Sequence, residues 1–258
     1  MPIAACAKAS CSILCVREMA QEGGRGRPGS TKSGPPSVRH TVVRVNRARR
    51  RKPSSTEWLS RQLNDPYVAE ARRLGYRSRA AFKLIELDDR YRLLLPGRRV
   101  VDLGCAPGGW TQVAVERVSA RAGRSVVIGI DLAETVPVPG AVILRGDIHD
   151  PTVTSAIKAA LGEHADIVLS DMAPSTTGHA ATDHLRIVAL AEAAFSVASE
   201  ILRPGGVFVA KVFQGGAEGT LLAQFKPAFS ELRHAKPPAS RAASAETYVI
   251  AKGFRGSG

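Results

Sequence analysis

Short runs of apolar and β-branched residues alternate with helical patterns from residue 99 onward. Apolar runs bounded by turn residues predict buried strands. They fall at residues 99–103, 125–131, 141–144, 166–170, 207–212, 231–236 and 247–251. Helical patterns lie near residues 65–74, 78–90, 109–119, 152–161, 183–202 and 217–226. This alternation predicts an α/β protein with a parallel sheet covered by helices on both faces.

The charge of the chain changes the picture at its N-terminus. Residues 1–53 contain 12 Lys and Arg residues against two acids, in a chain of net charge +13. They also hold Gly-rich and Pro-containing stretches without lasting apolar periodicity. We therefore predict a basic, disordered N-terminal extension over residues 1–53 and a folded domain over 54–258. The extension suggests a polyanionic partner. A tail that only aids solubility and an organelle transit peptide are the alternatives.

Three classes of protein are disfavoured by the remaining composition: membrane-spanning proteins, disulfide scaffolds and metalloproteins. No apolar run approaches the ~20 residues that a membrane span needs, so we expect no membrane association. The four Cys residues show no C-x-x-C spacing, and the six His residues no H-x-x-x-H spacing. Because metal-ligand spacing is absent we expect no resident metal, and four Cys in 258 residues are too few for a small disulfide scaffold.

A glycine-rich turn, residues 102–110, follows the first predicted strand. Its G-x-x-x-G-G spacing fits neither a dinucleotide fingerprint nor a P-loop. Asp131, Asp147 and Asp171 follow the second, third and fourth strands, whose carboxyl ends meet at one edge of a parallel sheet. There Asp131 could accept hydrogen bonds from the ribose hydroxyls of a nucleoside, and Asp147 could accept one from an adenine amino group. Each acid alone is more often a helix cap, but together they favour S-adenosyl-L-methionine, because the turn lacks a phosphate-binding Lys or Arg.

Four blocks of sequence carry a resemblance to a known family. The blocks are GYRSRAAFKL (75–84), DLGCAPGGW (102–110), SDMAP (170–174) and VAKVFQG (209–215). They resemble the FtsJ/RlmE ribosomal RNA large subunit 2′-O-methyltransferases, over roughly residues 55–253. The resemblance implies a Rossmann-like class I methyltransferase fold, a seven-stranded mostly parallel sheet with helices on both faces. It also implies S-adenosyl-L-methionine as methyl donor and, as acceptor, the 2′-hydroxyl of a uridine in the A loop of 23S rRNA.

The resemblance also implies site residues. It places a Lys-Asp-Lys-Glu tetrad on Lys83, Asp171, Lys211 and Glu246, with no member substituted. It places cofactor-binding positions on Gly108, Trp110, Asp131, Asp147 and Asp171. Trp110 could equally pack the following helix onto the sheet.

The chemistry gives Lys211 its predicted role. A ribose 2′-hydroxyl is a poor nucleophile while it keeps its proton, so the site must align the reacting atoms and accept that proton. We assign Lys211 as general base, which requires its pKa to fall by about 3 from an ordinary value near 10.4. Burial and the charge of Lys83 favour this, whereas Asp171 and Glu246 oppose it and are expected to hold the lysines in place. A permanently charged Lys211 that orients the hydroxyl is the alternative.

The resemblance predicts the large ribosomal subunit as partner. We expect the protein to act as a monomer in the cytoplasm. A surface cluster supports an RNA partner and comprises Arg72, Arg73, Arg77, Arg79 and Lys83, beside Tyr67 and Tyr76. The same reaction on a tRNA or on large-subunit rRNA in the mitochondrial matrix is a second hypothesis. A non-catalytic RNA-binding ribosome assembly factor is a third, which the intact tetrad disfavours.

Overall fold

The computed structural model describes residues 59–60, 63–118, 126–174, 177–214 and 218–256. The predicted extension over residues 1–53 lies outside the described residues. Within the described ranges, no helix has the length and apolar character needed to cross a membrane. The same ranges contain no group of three or more His, Cys, Asp or Glu side chains that could hold a metal ion.

Helices and strands alternate through the described chain in the predicted order. The helices are α1 (Pro66–Leu74), α2 (Ala80–Tyr91), α3 (Gly109–Val118), α4 (Pro151–Leu161), α5 (Ala180–Ile201) and α6 (Glu218–Ala228). The strands are β1 (Arg99–Leu103), β2 (Val126–Asp131), β3 (Val142–Arg145), β4 (Ala165–Ser170), β5 (Leu202–Phe213), β6 (Phe229–Ala235) and β7 (Glu246–Phe254).

The seven strands form one sheet in the order β3-β2-β1-β4-β5-β7-β6. Strands β1 to β5 pair in parallel, and β7 runs antiparallel to both β5 and β6. This confirms the predicted seven-stranded, mostly parallel sheet. The strand order reverses between β1 and β4, so the two crossovers leave a crevice at their carboxyl ends.

Two apolar layers cover the sheet. One packs α4, α5 and α6 against β-sheet residues such as Val101 and Phe208. The other packs α2 and α3 against residues such as Val100 and Val209. Alternate strand residues point to opposite faces, so Asp102, Lys211, Glu246 and Tyr248 lie on the α2 and α3 face.

Strand β5 begins earlier than predicted. Pro204, Gly205 and Gly206 lie between the predicted helix (183–202) and the predicted strand (207–212), yet β5 already starts at Leu202. The pairing with β4 shifts between Ala165 and Ile167, which accommodates the extra residues as a bulge. Gly206 permits this bend because a Cβ there would lie 2.8 Å from the Arg203 carbonyl oxygen.

Candidate active site

The glycine turn between β1 and α3 brings the backbone close to the neighbouring strands. Gly104 has φ +76°, and a Cβ at this position would lie 2.2 Å from Cγ of Met172, which follows β4. The N–H groups of Gly104 and Cys105 both donate to the carbonyl oxygen of Ile130 in β2. A residue with a side chain could not make this approach, so the turn forms a close-fitting wall.

Beside this wall lies an open cleft of about 400 Å³ at the carboxyl ends of the strands. Its lining includes Gly104, Asp131, Asp147, Asp171 and Leu190. The three predicted acids therefore share one cleft, as expected from their places after β2, β3 and β4. The cleft combines carboxylates with apolar side chains, a lining that suits a nucleoside with a charged tail.

Asp131 and Asp147 are held by backbone N–H groups. The Asp131 carboxylate accepts from the N–H of Ala106 at 2.9 Å and from that of Ala133 at 2.8 Å. The Asp147 carboxylate accepts from the N–H of His149 at 3.0 Å. Each carboxylate oxygen has a second lone pair, so both acids can still accept hydrogen bonds from a ligand.

The structure places Gly108 and Trp110 behind the turn. Gly108 has φ +108°, and a Cβ there would lie 2.9 Å from Nη1 of Arg77. Trp110 is 3% exposed, and its indole N–H donates to the Ala80 carbonyl oxygen at 2.7 Å. Its ring centroid lies 5.6 Å from that of Tyr248. Trp110 thus packs α3 against α2 and β7, and its predicted contact with the cofactor stays a prediction.

All four members of the tetrad come together beside the cleft. Asp171, which lines the cleft, follows β4 directly. The Lys211 Nζ donates to the Asp171 carboxylate at 3.0 Å and to the Asp171 carbonyl oxygen at 2.6 Å. Lys211 is 7% exposed and lies in the middle of the sheet, in β5. The buried ammonium is therefore paired with a carboxylate, as burial of a charge requires.

The second half of the tetrad joins α2 to β7. The Lys83 Nζ lies 2.8 Å from a Glu246 carboxylate oxygen and 3.7 Å from an oxygen of Asp171. Lys83 therefore bridges the two carboxylates, although its helix precedes the sheet in sequence. The tetrad carries two positive and two negative groups, so its formal charges balance in a site largely closed to solvent.

Asp171 is at the centre of the electrostatics. Its burial would raise the pKa, but the charges of Lys211 and then Lys83, together with the Tyr248 O–H donor, outweigh burial and lower it. Asp171 is therefore held as a carboxylate that accepts hydrogen bonds and does not supply protons.

Tyr248 is a member of this site that sequence reasoning missed. Its hydroxyl lies 2.7 Å from an Asp171 carboxylate oxygen and 3.2 Å from a Glu246 oxygen. Burial and these two acids raise the pKa of Tyr248 well above its ordinary value, so the phenol keeps its proton. A signal was available, because Tyr248 follows Glu246 by two residues in a strand and therefore shares its face.

Asp102 is a second buried acid that the prediction did not use. It is 1% exposed in β1, beneath the glycine turn, and accepts from the Thr111 hydroxyl at 2.7 Å. Its other carboxylate oxygen has no partner among the described atoms. Burial raises the pKa of Asp102 to about 7, and the charges of Asp171 and Asp131 add to the effect.

The predicted RNA-binding cluster is only partly free to bind RNA. Arg77 donates to the carbonyl oxygens of Pro107, Val136 and Pro137, and thereby fastens two loops beside the cleft. Arg79 pairs with Asp65. The structure therefore corrects the expectation for these two arginines, because their donors are used within the fold.

Two further arginines of that cluster lie on the outside of α1. Arg72 and Arg73 are both exposed there, and Arg73 pairs with Glu70 at 2.6 Å. Surface ion pairs of this kind contribute little stability and exchange readily.

Comparisons with known proteins identify relatives of this chain. The family model described as FtsJ-like methyltransferase matches residues 76–254. Ribosomal RNA large subunit methyltransferase E of Paramagnetospirillum magneticum is 60% identical over 242 residues, which cover 93% of this chain and 99% of that protein. The protein of the same name from Granulibacter bethesdensis is 54% identical over 236 residues, 92% and 98% of the two chains.

A solved structure shares the fold. The crystal structure of a ribosomal RNA methyltransferase from Plasmodium falciparum is similar with a TM-score of 0.64 and 32% sequence identity. The similarity covers 70% of this chain and all of that one. The residues that the family model matches, 76–254, include the whole sheet, the glycine turn and the tetrad. The chain therefore belongs to the FtsJ-like methyltransferase family.

Proposed function

We propose that the chain transfers a methyl group from S-adenosyl-L-methionine to the ribose 2′-hydroxyl of a uridine in the A loop of 23S rRNA. The observation that carries this proposal is the double position of Asp171. It lines the cleft with Asp131 and Asp147, and it also accepts the Lys211 ammonium at 3.0 Å. A methyl donor in the cleft and a hydroxyl beside Lys211 would thus meet across one carboxylate.

The cleft fits the proposed donor. Asp131 and Asp147 offer carboxylate oxygens where a nucleoside carries hydroxyl and amino donors, and Asp171 offers one where an amino acid carries an ammonium. The Gly104 approach to Met172 narrows the space available along the wall. Bound S-adenosyl-L-methionine supplies a methyl group already activated by the positive charge of its sulfur.

The tetrad fits the proposed acceptor. Once it has lost one proton, Lys211 keeps two N–H groups for its contacts with Asp171 and has a lone pair free for the substrate hydroxyl. We propose that this neutral amine aligns the hydroxyl and takes up its proton, becoming an ammonium, as the new carbon–oxygen bond replaces the donor's methyl–sulfur bond. Lys83 and Glu246 keep Asp171 and Lys211 in place, since the Lys83 Nζ contacts both carboxylates.

The names of the relatives support the choice of RNA. Two proteins that cover nearly all of this chain at 54–60% identity are named for methylation of large-subunit ribosomal RNA. We therefore propose the large ribosomal subunit as partner and the cytoplasm as the compartment. All four tetrad side chains belong to one chain, which supports a monomer as the active unit.

Methyl transfer to purified ribosomal particles tests this proposal. The full-length chain is mixed with labelled S-adenosyl-L-methionine and with large subunits, small subunits, free 23S rRNA or tRNA from cells that lack the enzyme. We expect one 2′-O-methyl per large subunit, at an A-loop uridine. Methylation of tRNA alone would favour the second hypothesis, and binding to large subunits without any transfer would favour a non-catalytic assembly factor.

Calorimetric titration tests the donor site separately. We expect Asp131→Asn to bind S-adenosyl-L-methionine at least tenfold more weakly than the wild type, because a carboxylate–hydroxyl bond is worth about 1.5–3 kcal/mol. The matched control is Asp150→Asn, since Asp150 caps α4 and does not line the cleft. Equal affinities of the two variants for the donor would contradict the assignment of Asp131.

A further inference from the structure

Three polar side chains form a stripe along one face of α2. Arg79, Lys83 and Glu86 are spaced by four and three residues, which places them above one another on a helix. Lys83 is the tetrad member, whereas Glu86 lies outside the tetrad and is only 7% exposed. A buried carboxylate is costly unless it is fully hydrogen-bonded, so its partners carry information.

The partners of Glu86 connect α2 to the loop between β6 and β7. One carboxylate oxygen accepts from the N–H of Ala239 at 2.7 Å, and the other accepts from the Tyr67 hydroxyl at 3.0 Å. Arg79 donates to the carbonyl oxygen of the same residue, Ala239. Both backbone groups of one buried loop residue are therefore held by the α2 stripe.

The next residue continues the connection into the tetrad. The Ser240 hydroxyl donates to a Glu246 carboxylate oxygen at 2.7 Å. The same Glu246 oxygen lies 2.8 Å from the Lys83 Nζ. The contacts thus form a closed circuit from Glu86 through Ala239 and Ser240 to Glu246, and back to α2 at Lys83.

We infer that Glu86 is a positioning residue for methyl transfer, which acts through Ala239 and Ser240 to set the contact between Lys83 and Glu246. The inference rests on the proposed function, because it assigns Glu86 a part in the same reaction. Its physical basis is the short path: one turn of α2 separates Glu86 from Lys83, and Ala239 and Ser240 are adjacent in the chain. A change at Glu86 therefore reaches Lys83 from two directions.

The burial of Glu86 couples its position to that of its hydrogen-bond donors. Burial raises the pKa of Glu86, although the Ala239 N–H and the Tyr67 hydroxyl, its two strongest donors, oppose the rise. The carboxylate is kept at this position by those donors, so their geometry and that of Glu86 are coupled. If the Glu86 side chain is removed, the buried Ala239 N–H loses its acceptor, so we expect the loop between β6 and β7 to shift.

Kinetics of three variants test the inference. We expect Glu86→Ala to lower kcat at least tenfold, because small displacements of catalytic groups are costly. The KM for S-adenosyl-L-methionine should stay within twofold of wild type, since Glu86 does not line the cleft. Glu86→Gln keeps an acceptor for the Ala239 N–H and should recover kcat to within threefold. Glu86→Asp keeps the charge but is too short to reach, so it should behave like Glu86→Ala.

A matched variant separates positioning from general destabilisation. Asp166 likewise accepts two hydrogen bonds, one from the backbone N–H of Arg99 at 2.8 Å and one from the Arg203 side chain at 2.5 Å. It lies near the start of β4, at the opposite end of that strand from Asp171. We expect Asp166→Ala to lower the melting temperature like Glu86→Ala while kcat stays within twofold of wild type.

Two further readouts decide the matter. Hydrogen exchange at the Ala239 amide should be at least tenfold faster in Glu86→Ala, and wild-type-like in Asp166→Ala. In a Lys83→Ala background, adding Glu86→Ala should leave kcat unchanged, because the two residues act through one contact. A wild-type kcat for Glu86→Ala, or losses that multiply in the double variant, would overturn the inference. A wild-type chain without transfer activity would instead refute the proposed function, whereas the exchange result would stand.

Discussion

Lys83 and Glu246 lie 163 residues apart in the sequence, yet their side chains form an ion pair of 2.8 Å. Lys83 comes from a helix that precedes the sheet, and Glu246 opens β7, which enters the sheet antiparallel between β5 and β6. The site is therefore completed only when both ends of the folded domain meet. Charges that would be solvated on an isolated helix or strand become partly buried and paired.

Tyr248→Phe tests whether the phenol supports Asp171. The variant keeps the ring against Trp110 but removes the donor to Asp171, so we expect kcat to fall about tenfold and the free energy of unfolding to fall by about 1.5–3 kcal/mol. Single-turnover rates and thermal unfolding measure the two effects. Tyr76→Phe is the control, since the Tyr76 hydroxyl donates to Glu116 at 2.7 Å without contacting the tetrad. A wild-type rate for Tyr248→Phe would contradict a role for the hydroxyl.

Asp102→Asn tests the buried acid beneath the glycine turn. Because the folded pKa of about 7 exceeds the unfolded value of 3.8, the folded chain holds a proton that the unfolded chain has lost between these pH values. The contribution of Asp102 to stability is therefore present below about pH 4 and is lost as pH rises through 7, by at most ~1.4 kcal/mol per pH unit. We expect the Asn variant to gain stability relative to wild type from pH 5 to pH 8, in urea unfolding. If the stability of wild type and of Asp102→Asn changed with pH in the same way, the raised pKa of Asp102 would be contradicted.

Arg77→Ala and Arg72→Ala separate structural from RNA-binding arginines. Arg77 donates to three carbonyl oxygens, so its loss should lower the free energy of unfolding by about 1–2 kcal/mol. Arg72 is exposed on α1, so its loss should leave stability unchanged and lower the salt slope of rRNA binding by about 1. Unfolding curves and salt titrations of binding measure both. A reversed pattern would restore the original prediction for Arg77.

The elements and the general place of the site were predictable from sequence because their signals are local. Apolar runs and turn residues predict all seven strands of the sheet, and most strand ends lie within a few residues of the predicted positions. Acids after strands point to one edge of a parallel sheet, and Asp131, Asp147 and Asp171 do share a cleft there. The predicted start of β5 was wrong. Pro204, Gly205 and Gly206 are typical turn residues, but the pairing with β4 includes them in the strand as a bulge.

The remaining site residues depend on contacts between distant parts of the chain. Tyr248 looks like an ordinary strand aromatic until the sheet places it opposite Lys211, in register across β5 and β7. Glu86 and Arg77 look like solvated helix or loop charges, and only tertiary packing buries one and gives the other three carbonyl partners. Long-range partners of this kind leave no periodic trace in the sequence.

The Lys211 amine is proposed to act on a ribose hydroxyl beside the donor cleft. Lys211→Met removes the amine and keeps an unbranched side chain, so the donor cleft, which Lys211 does not line, should be preserved. The matching measurement is single-turnover methyl transfer to large ribosomal subunits, with donor affinity measured by calorimetry on the same preparations. We expect Lys211→Met to transfer methyl groups at least 100-fold more slowly than wild type at unchanged donor affinity, because general acid–base catalysis contributes about 10²–10⁴-fold. Transfer at the wild-type rate by Lys211→Met would contradict it.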